Sequence, residues 1–161
     1  MSADRNVKKR RKPALGDIYE IETTSGLGYF QYVGTSKRYC ELIRVFPGTY
    51  SQRPSSFEET LSRGEAFMTF YPLPRALSEE LVTWVHHEAL PERFRVFPMM
   101  RWGTGTPPSG GARKWRLFDG EDFGALQEMT PELAKMSVAG TSGHASLKNK
   151  IETGYTPESE V

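Results

Sequence analysis

The chain has 161 residues, of which 37% are hydrophobic and 12% aromatic, and its formal net charge is +1 at pH 7. This length and composition predict one domain with a substantial core, and the chain is too short for us to expect a second domain. The first twelve residues carry +5, which leaves −4 on residues 13–161. The positive charge therefore lies in a tail rather than on the folded surface that a nucleic-acid-binding domain needs, and we do not expect nucleic acid as a partner.

Cysteine content and hydropathy indicate the compartment. Cys40 is the only cysteine, which excludes an intramolecular disulfide. No apolar run is long enough to span a bilayer, and the basic N-terminus is not followed by the hydrophobic segment of a signal peptide. We therefore predict a cytoplasmic protein without a membrane partner.

The first part of the chain predicts an antiparallel sheet. A basic, disordered leader is predicted at 1–13, followed by strands at 15–23 and 28–35. The turn between these strands contains Gly26, which can supply the positive φ that a short hairpin loop requires. A third strand is predicted at 39–46, so three sequential strands form a meander.

The middle of the chain predicts an excursion, a strand and a helix. Residues 49–63 are polar and predict an ordered excursion with one short helical turn, and a strand at 65–73 follows, bounded by prolines. A serine followed by two glutamates predicts the start of a helix over 78–90. His86 and His87 would flank its apolar stripe about 100° apart, so they are not expected to share a metal ion.

The C-terminal part predicts a hairpin and two short helices. Strands at 94–102 and 114–118 are predicted to pair, with the glycine- and proline-rich residues 103–111 as a mobile tip. Helices are predicted at 130–137 and 142–153, with Thr130 and Ser142 as caps and Gly154 as the terminator of the second.

These elements predict an α+β fold. We expect a strongly curved antiparallel sheet or a small SH3-like barrel, with two or three peripheral helices. A single globular domain is expected at 14–155, and the residues at 156–161 are expected to form a disordered tail.

No residue pattern predicts catalysis. Cys40 lies in the middle of a predicted strand, without the glycine turn or helix start that exposes and acidifies a nucleophilic thiol. Ser142 lacks the glycine that follows a hydrolase serine by two residues. Lys114 does not directly follow a glycine, as a phosphate-binding loop requires. We therefore predict that the protein is not an enzyme and uses no metal or cofactor.

The two arms of the predicted hairpin carry the residue types that dominate protein interfaces. Tryptophan and arginine are enriched among interface anchors, although the tryptophans can instead fill the core. The predicted partner-binding residues are Arg101, Trp102, Arg113, Trp115 and Arg116.

The N-terminal hairpin also carries a family resemblance. A basic stretch at 8–12 leads into Gly-Asp-Ile-Tyr-Glu-Ile at 16–21 and an aromatic strand that ends at Val33-Gly34. This pattern resembles the start of the immunity protein 26 family, bacterial proteins predicted to neutralise the toxins of polymorphic secretion systems. The match covers about residues 8–48, with looser similarity as far as Trp115. It implies a cytoplasmic antitoxin that binds a cognate protein toxin without chemistry, as a monomer or weak homodimer.

A second class of function remains open on the sequence. An SH3-like barrel can serve as a nucleic-acid-associated module, in which the basic leader contacts phosphates and exposed aromatic side chains stack on bases. The side chains expected to stack in this alternative are Tyr29, Tyr32 and Tyr50.

Overall fold

The computed structural model describes residues 12–103 and 114–161. Within these residues the protein is an α+β fold with eight strands in two antiparallel sheets and four short α-helices. The strands are β1 Asp17–Thr23, β2 Gly26–Thr35, β3 Glu41–Val45, β4 Phe67–Tyr71, β5 Thr83–His87, β6 Met100–Gly103, β7 Trp115–Phe118 and β8 Phe123–Gln127. The helices are α1 Glu58–Ser62, α2 Leu73–Ser78, α3 Pro131–Lys135 and α4 His144–Thr153, with 3-10 helices at Glu92–Arg95 and Pro157–Ser159.

The larger sheet has the strand order β4-β3-β2-β1-β5. The predicted hairpin of β1 and β2 is confirmed, with Thr23 opposite Gly26 across the turn. Gly26 has a φ of +133°, and a Cβ at this position would lie 2.6 Å from the carbonyl oxygen of Tyr50, so only glycine fits. Over the described residues the sheet ends at β4 and β5 and does not close into the barrel that the sequence suggested.

The predicted helix over 78–90 is wrong. Helix α2 occupies Leu73–Ser78, so the serine ends a helix instead of starting one, and Glu80 has a left-handed φ of +57°. The residues that follow are β-branched and aromatic, which suits a strand, and they pair with β1 to form β5. His86 and His87 therefore lie on an edge strand of the sheet.

The smaller sheet contains the predicted hairpin. Strands β6 and β7 pair from Met100 opposite Phe118 to Gly103 opposite Trp115, as expected, while the predicted tip lies mostly outside the described residues. The structure adds β8, which the sequence analysis missed because Gly124 and Ala125 are poor strand formers. It also places a 3-10 helix where the strand at 94–102 was predicted to begin.

The larger sheet is covered on both faces. One face packs against α2 and α4, and the other is divided between the smaller sheet and the segment that leads into α1. Representative members of these three clusters are Tyr19, Phe30 and Ile43 with Leu73, Leu147 and Ile151, then Leu42 and Phe70 with Met100 and Phe118, and finally Ile18 and Tyr29 with Phe57.

The segment at 137–142 joins the two sheets. Val138 pairs with Arg101 of β6, and Thr141 pairs with Phe70 of β4. Ser142 is not the cap of α4, because Gly143 holds that position and the buried Ser142 hydroxyl lies 2.8 Å from Thr69 Oγ1. The other expected helix signals are confirmed, namely the hydrogen bond from the Leu133 amide to Thr130 Oγ1 and the left-handed Gly154.

The C-terminal residues pack against the domain, in contrast to the disordered tail expected at 156–161. Pro157 is buried and begins a 3-10 helix. Its carbonyl oxygen accepts a hydrogen bond of 2.6 Å from Arg101 Nη2. The end of the chain is thus tied to β6.

Candidate partner-binding site

The structure buries two of the predicted partner-binding residues. Arg101 is 0% exposed and Trp115 is 1% exposed, and the guanidinium carbon of Arg101 lies 4.0 Å from the centre of the Trp115 ring. Arg101 also donates to the carbonyl oxygens of Met136, at 3.0 Å, and of Pro157. The expectation that these two side chains contact a partner is therefore corrected, since both belong to the core.

Two of the other predicted residues, Trp102 and Arg116, make contacts within the smaller sheet. Trp102 is half-buried with its ring 5.0 Å from that of Phe123, and Arg116 donates a 2.9 Å hydrogen bond to the carbonyl oxygen of Gly124. Arg113 lies outside the described residues. The described arms of the hairpin therefore offer less exposed interface surface than their sequence suggests.

A cleft of about 560 Å³ lies away from the hairpin residues, between the excursion before α1 and strand β5. Phe57 anchors the excursion, because its buried ring packs edge-on against Tyr29 at 5.1 Å and stacks on His86 at 5.5 Å. The cleft is lined by Arg53, Pro54, Ser55, Ser56, Phe57, Glu58, Leu61, Val85, His86 and Glu88.

Arg53 is held in place at this cleft. Its Nε donates to Glu20 Oε2 at 2.7 Å and its Nη2 donates to Glu20 Oε1 at 3.0 Å, while the Tyr29 hydroxyl donates to Oε2 at 2.8 Å. The Arg53 side chain is 53% exposed and that of Glu20 is 9% exposed. A bidentate contact with a mostly buried carboxylate fixes the guanidinium while leaving about half of the side chain accessible.

The same contacts shift the proton affinities of the group. The hydrogen bond from Arg53 holds the pKa of Glu20 below its usual value, against the effect of burial and with help from Tyr29. Burial and the hydrogen bond to Glu20 raise the pKa of Tyr29 well above its usual range. Both shifts keep Glu20 ionised and Tyr29 protonated at neutral pH, so the arrangement is stable in that range.

A buried polar network holds the backbone at Glu88, which lines one end of the cleft. The side-chain amide of Gln31 donates to the carbonyl oxygens of Gly16, at 2.9 Å, and Glu88, at 3.0 Å, and its oxygen accepts from Arg44 Nε at 2.8 Å. Arg44 Nη1 also donates a hydrogen bond of 3.3 Å to Glu65 Oε2. Gln31 and Arg44 are buried, so this network fixes the position at which the chain leaves β5.

Replacing Glu65 with glutamine should remove stability that depends on pH. Burial raises the pKa of Glu65, but the hydrogen bond from Arg93 and the charges of Arg93 and Arg44 outweigh burial and leave the pKa below its usual value. A carboxylate with a lowered folded-state pKa stabilises the fold above the unfolded pKa of about 4.3, and this stability is lost as the pH falls through the folded-state value. We expect Glu65→Gln to cost about 1–2 kcal/mol at pH 7 in urea unfolding, and less as the pH falls below about 4.

Glu59→Gln is the matched control, because Glu59 also pairs with an arginine but has a side chain that is 78% exposed, against 16% for Glu65. We expect little change for Glu59→Gln at either pH. Equal stability losses for the two variants at pH 7, or a Glu65→Gln loss that stays constant at low pH, would contradict the role given to the network.

Other reactive side chains have structural surroundings. Lys150 Nζ lies 3.1 Å from the buried Ser142 hydroxyl, and burial lowers the pKa of Lys150, but the serine also contacts Thr69 and thereby holds residues 140–142 against β4. Burial and the charge of Glu41 raise the pKa of Cys40, which disfavours a reactive thiolate. Among residues 12–103 and 114–161, no group of three or more His, Cys, Asp or Glu side chains could hold a metal ion.

Two further observations bear on partners. Tyr29, one of the aromatic residues that the nucleic-acid alternative needs on the surface, is 1% exposed and cannot stack on a base. The described part of the chain contains no helix that is long and apolar enough to cross a membrane.

Only one wall of the cleft, the excursion before α1, could be predicted from the sequence. The excursion and its short helical turn were predicted, but β5 was placed in a helix, so the contact between Phe57 and His86 was missed. The run of β-branched and aromatic residues at 82–85 was the signal that could have indicated a strand. Glu20 and Arg53 are 33 positions apart, and no local pattern links them.

A scan against protein-family models, a search of curated proteins and a search of solved structures each found no match for this chain.

Proposed function

We propose that this protein is an immunity protein that binds and neutralises a cognate bacterial protein toxin in the cytoplasm, without catalysis. The resemblance of the N-terminal hairpin to immunity proteins supplies the class of function. The observation that supports a binding role most directly is the half-exposed Arg53, held on a mostly buried Glu20 at the cleft beside β5.

The geometry of the cleft suits a protein partner. A guanidinium that is already fixed loses less side-chain entropy when a partner binds, and arginine is among the residues that most often dominate interface energies. The stacked rings of Phe57 and His86 fix the wall of the cleft next to it. An interface of ordinary size built around such anchors is sufficient for tight binding, and occupying a toxin's working surface needs no cofactor.

Copurification followed by a growth assay tests this proposal. The full chain, tagged at one end, would be isolated from its native cell, and the proteins that remain bound would be identified by mass spectrometry. Each captured protein would then be expressed alone and together with the chain. We expect one of them to stop growth when expressed alone and to be harmless when the chain is present.

The matched control is a chain with Arg53 replaced by alanine, expressed at the same level. If the Arg53→Ala chain neutralises the captured toxin as well as the unchanged chain does, Arg53 is not part of the interface. If no captured protein inhibits growth, the proposed function is wrong.

A further inference from the structure

Within residues 12–103 and 114–161, strand β5 is an edge of the larger sheet with no further strand beside it. The opposite edge is covered, because Phe70 of β4 donates its amide to Gly140 and accepts from the amide of Ser142. At β5, the amide of Glu88 donates to the carbonyl oxygen of Gly16 at 3.1 Å. In an antiparallel ladder the next pair, Asp17 with His87, is then a non-hydrogen-bonded pair, so the backbone N–H and C=O of His87 point away from β1.

Two of the cavities that β5 residues line are acidic, whereas a third, of about 320 Å³ beside Trp84, is lined by Lys12 and by no described carboxylate. The cleft described above lies along the Val85–Glu88 end, and a cavity of about 270 Å³ lies at the Thr83 end. Among the described residues, five carboxylates and two lysine or arginine side chains line these two acidic cavities. The carboxylates belong to Glu20, Glu22, Glu58, Glu80 and Glu88, and the cations to Arg53 and Lys148.

Much of this negative charge is not compensated within the described residues. Glu22, Glu58 and Glu80 are exposed, and none of them forms an ion pair in residues 12–103 and 114–161. Arg53 contributes little free positive charge, because it is paired with Glu20. The two acidic cavities beside β5 are therefore complementary to a basic partner.

We propose that an extended, basic segment of the partner adds to the outer edge of β5 as a further strand. An added strand would take its affinity from backbone hydrogen bonds with β5. At one end of β5, side chains of the added strand would reach the cleft beside Phe57 and His86. At the Thr83 end, its side chains would reach the carboxylates of the smaller acidic cavity. This inference rests on the proposed function for its biological meaning, and it names the chemistry of the segment that the toxin presents.

Hydrogen exchange with a model peptide tests the inference without the toxin. The probe is a synthetic peptide of eight residues that alternates lysine with valine or threonine, and the control peptide has glutamate in place of each lysine. At about 1 mM peptide, a millimolar Kd gives half occupancy, so exchange of the amides at 83–87 in the full chain should slow by about twofold or more with the basic peptide only. Exchange that is unchanged at β5, or slowed equally by the acidic peptide, would overturn the inference.

A charge-reversal pair gives a second, independent test. The variant E22K/E58K/E80K should lose the protection at 83–87, whereas E121K/D122K/E128K, which makes the same change in net charge at other exposed carboxylates, should keep it. Protection that survives in the first variant contradicts the inference. If that variant does not fold, the comparison of the two peptides on the unchanged chain still decides.

Three other results would also overturn the inference. Protection that appears at β8, the edge of the smaller sheet, would place the segment there. The amides of β5 could already be protected from exchange in the full chain without peptide and lose that protection when residues 1–11 are removed. This result would identify the chain's own basic leader as the occupant. Binding of a nucleic acid at 83–87 in place of the peptide would identify a different class of partner. The growth assay is separate, so a toxin that is neutralised while β5 stays unprotected would reject only this inference.

Discussion

Replacing Arg101 with alanine is expected to lower the free energy of unfolding by about 3 kcal/mol or more. The variant loses the contact with the Trp115 ring and leaves a cavity next to a fully buried tryptophan. It also removes the donors that satisfy the carbonyl oxygens of Met136 and Pro157. We therefore expect both a lower urea midpoint and release of the C-terminal residues, seen as faster proteolysis after 155.

Arg116→Ala is the matched control, because it removes an arginine from the neighbouring strand whose guanidinium makes an exposed contact. We expect a loss within about 1 kcal/mol for this variant. The free energy of unfolding of Arg101→Lys should be closer to that of Arg101→Ala than to that of the unchanged protein. Lysine has neither the planar group of donors nor the stacking surface of arginine. An Arg101→Ala protein as stable as the Arg116→Ala protein would show that the buried arginine is not a structural link.

Replacing Arg53 with alanine should weaken binding of the captured toxin by about 2–4 kcal/mol, which is roughly thirtyfold to several hundredfold in Kd. The reason is that Arg53 is the side chain in the cleft that is both half-exposed and held by two hydrogen bonds. The fold should survive, because Glu20 keeps its hydrogen bond from the Tyr29 hydroxyl. Isothermal titration calorimetry on the folded variant measures the loss.

Arg95→Ala is the control for binding. Arg95 is also exposed and also pairs with a glutamate, but it lies in the 3-10 helix at Glu92–Arg95 and does not line the cleft. We expect its affinity to be unchanged. Equal losses for the two variants would indicate a general charge effect, and no loss for either would place the interface away from the cleft.

The parts of the fold that sequence predicted are those determined by local chemistry. The turn at Gly26, the threonine cap of α3 and the left-handed Gly154 each depend on a few neighbouring residues, and all three are present. The helix over 78–90 failed because a serine followed by two glutamates is a local start signal. Pairing with β1 determines the structure of the residues after Glu80 instead.

The candidate site could be predicted only in part, for a related reason. Considered with the hairpin alone, Arg101 beside Trp102 indicates a partner-binding surface. The carbonyl oxygens that accept from Arg101 come from Met136, directly after α3, and from Pro157, near the end of the chain, and both are far from Arg101 in sequence. The cleft likewise combines residues 53–58 with residues 85–88, and only the folded sheet brings them together.

Titration of the captured toxin's activity with the purified chain tests neutralisation by binding most directly. The account predicts that inhibition grows in proportion to the amount of chain and is complete at one chain per toxin, with no further change over time. Activity that is lost progressively at a small fraction of that amount would mean that each chain inactivates many toxin molecules. That result would contradict a protein that acts by binding alone.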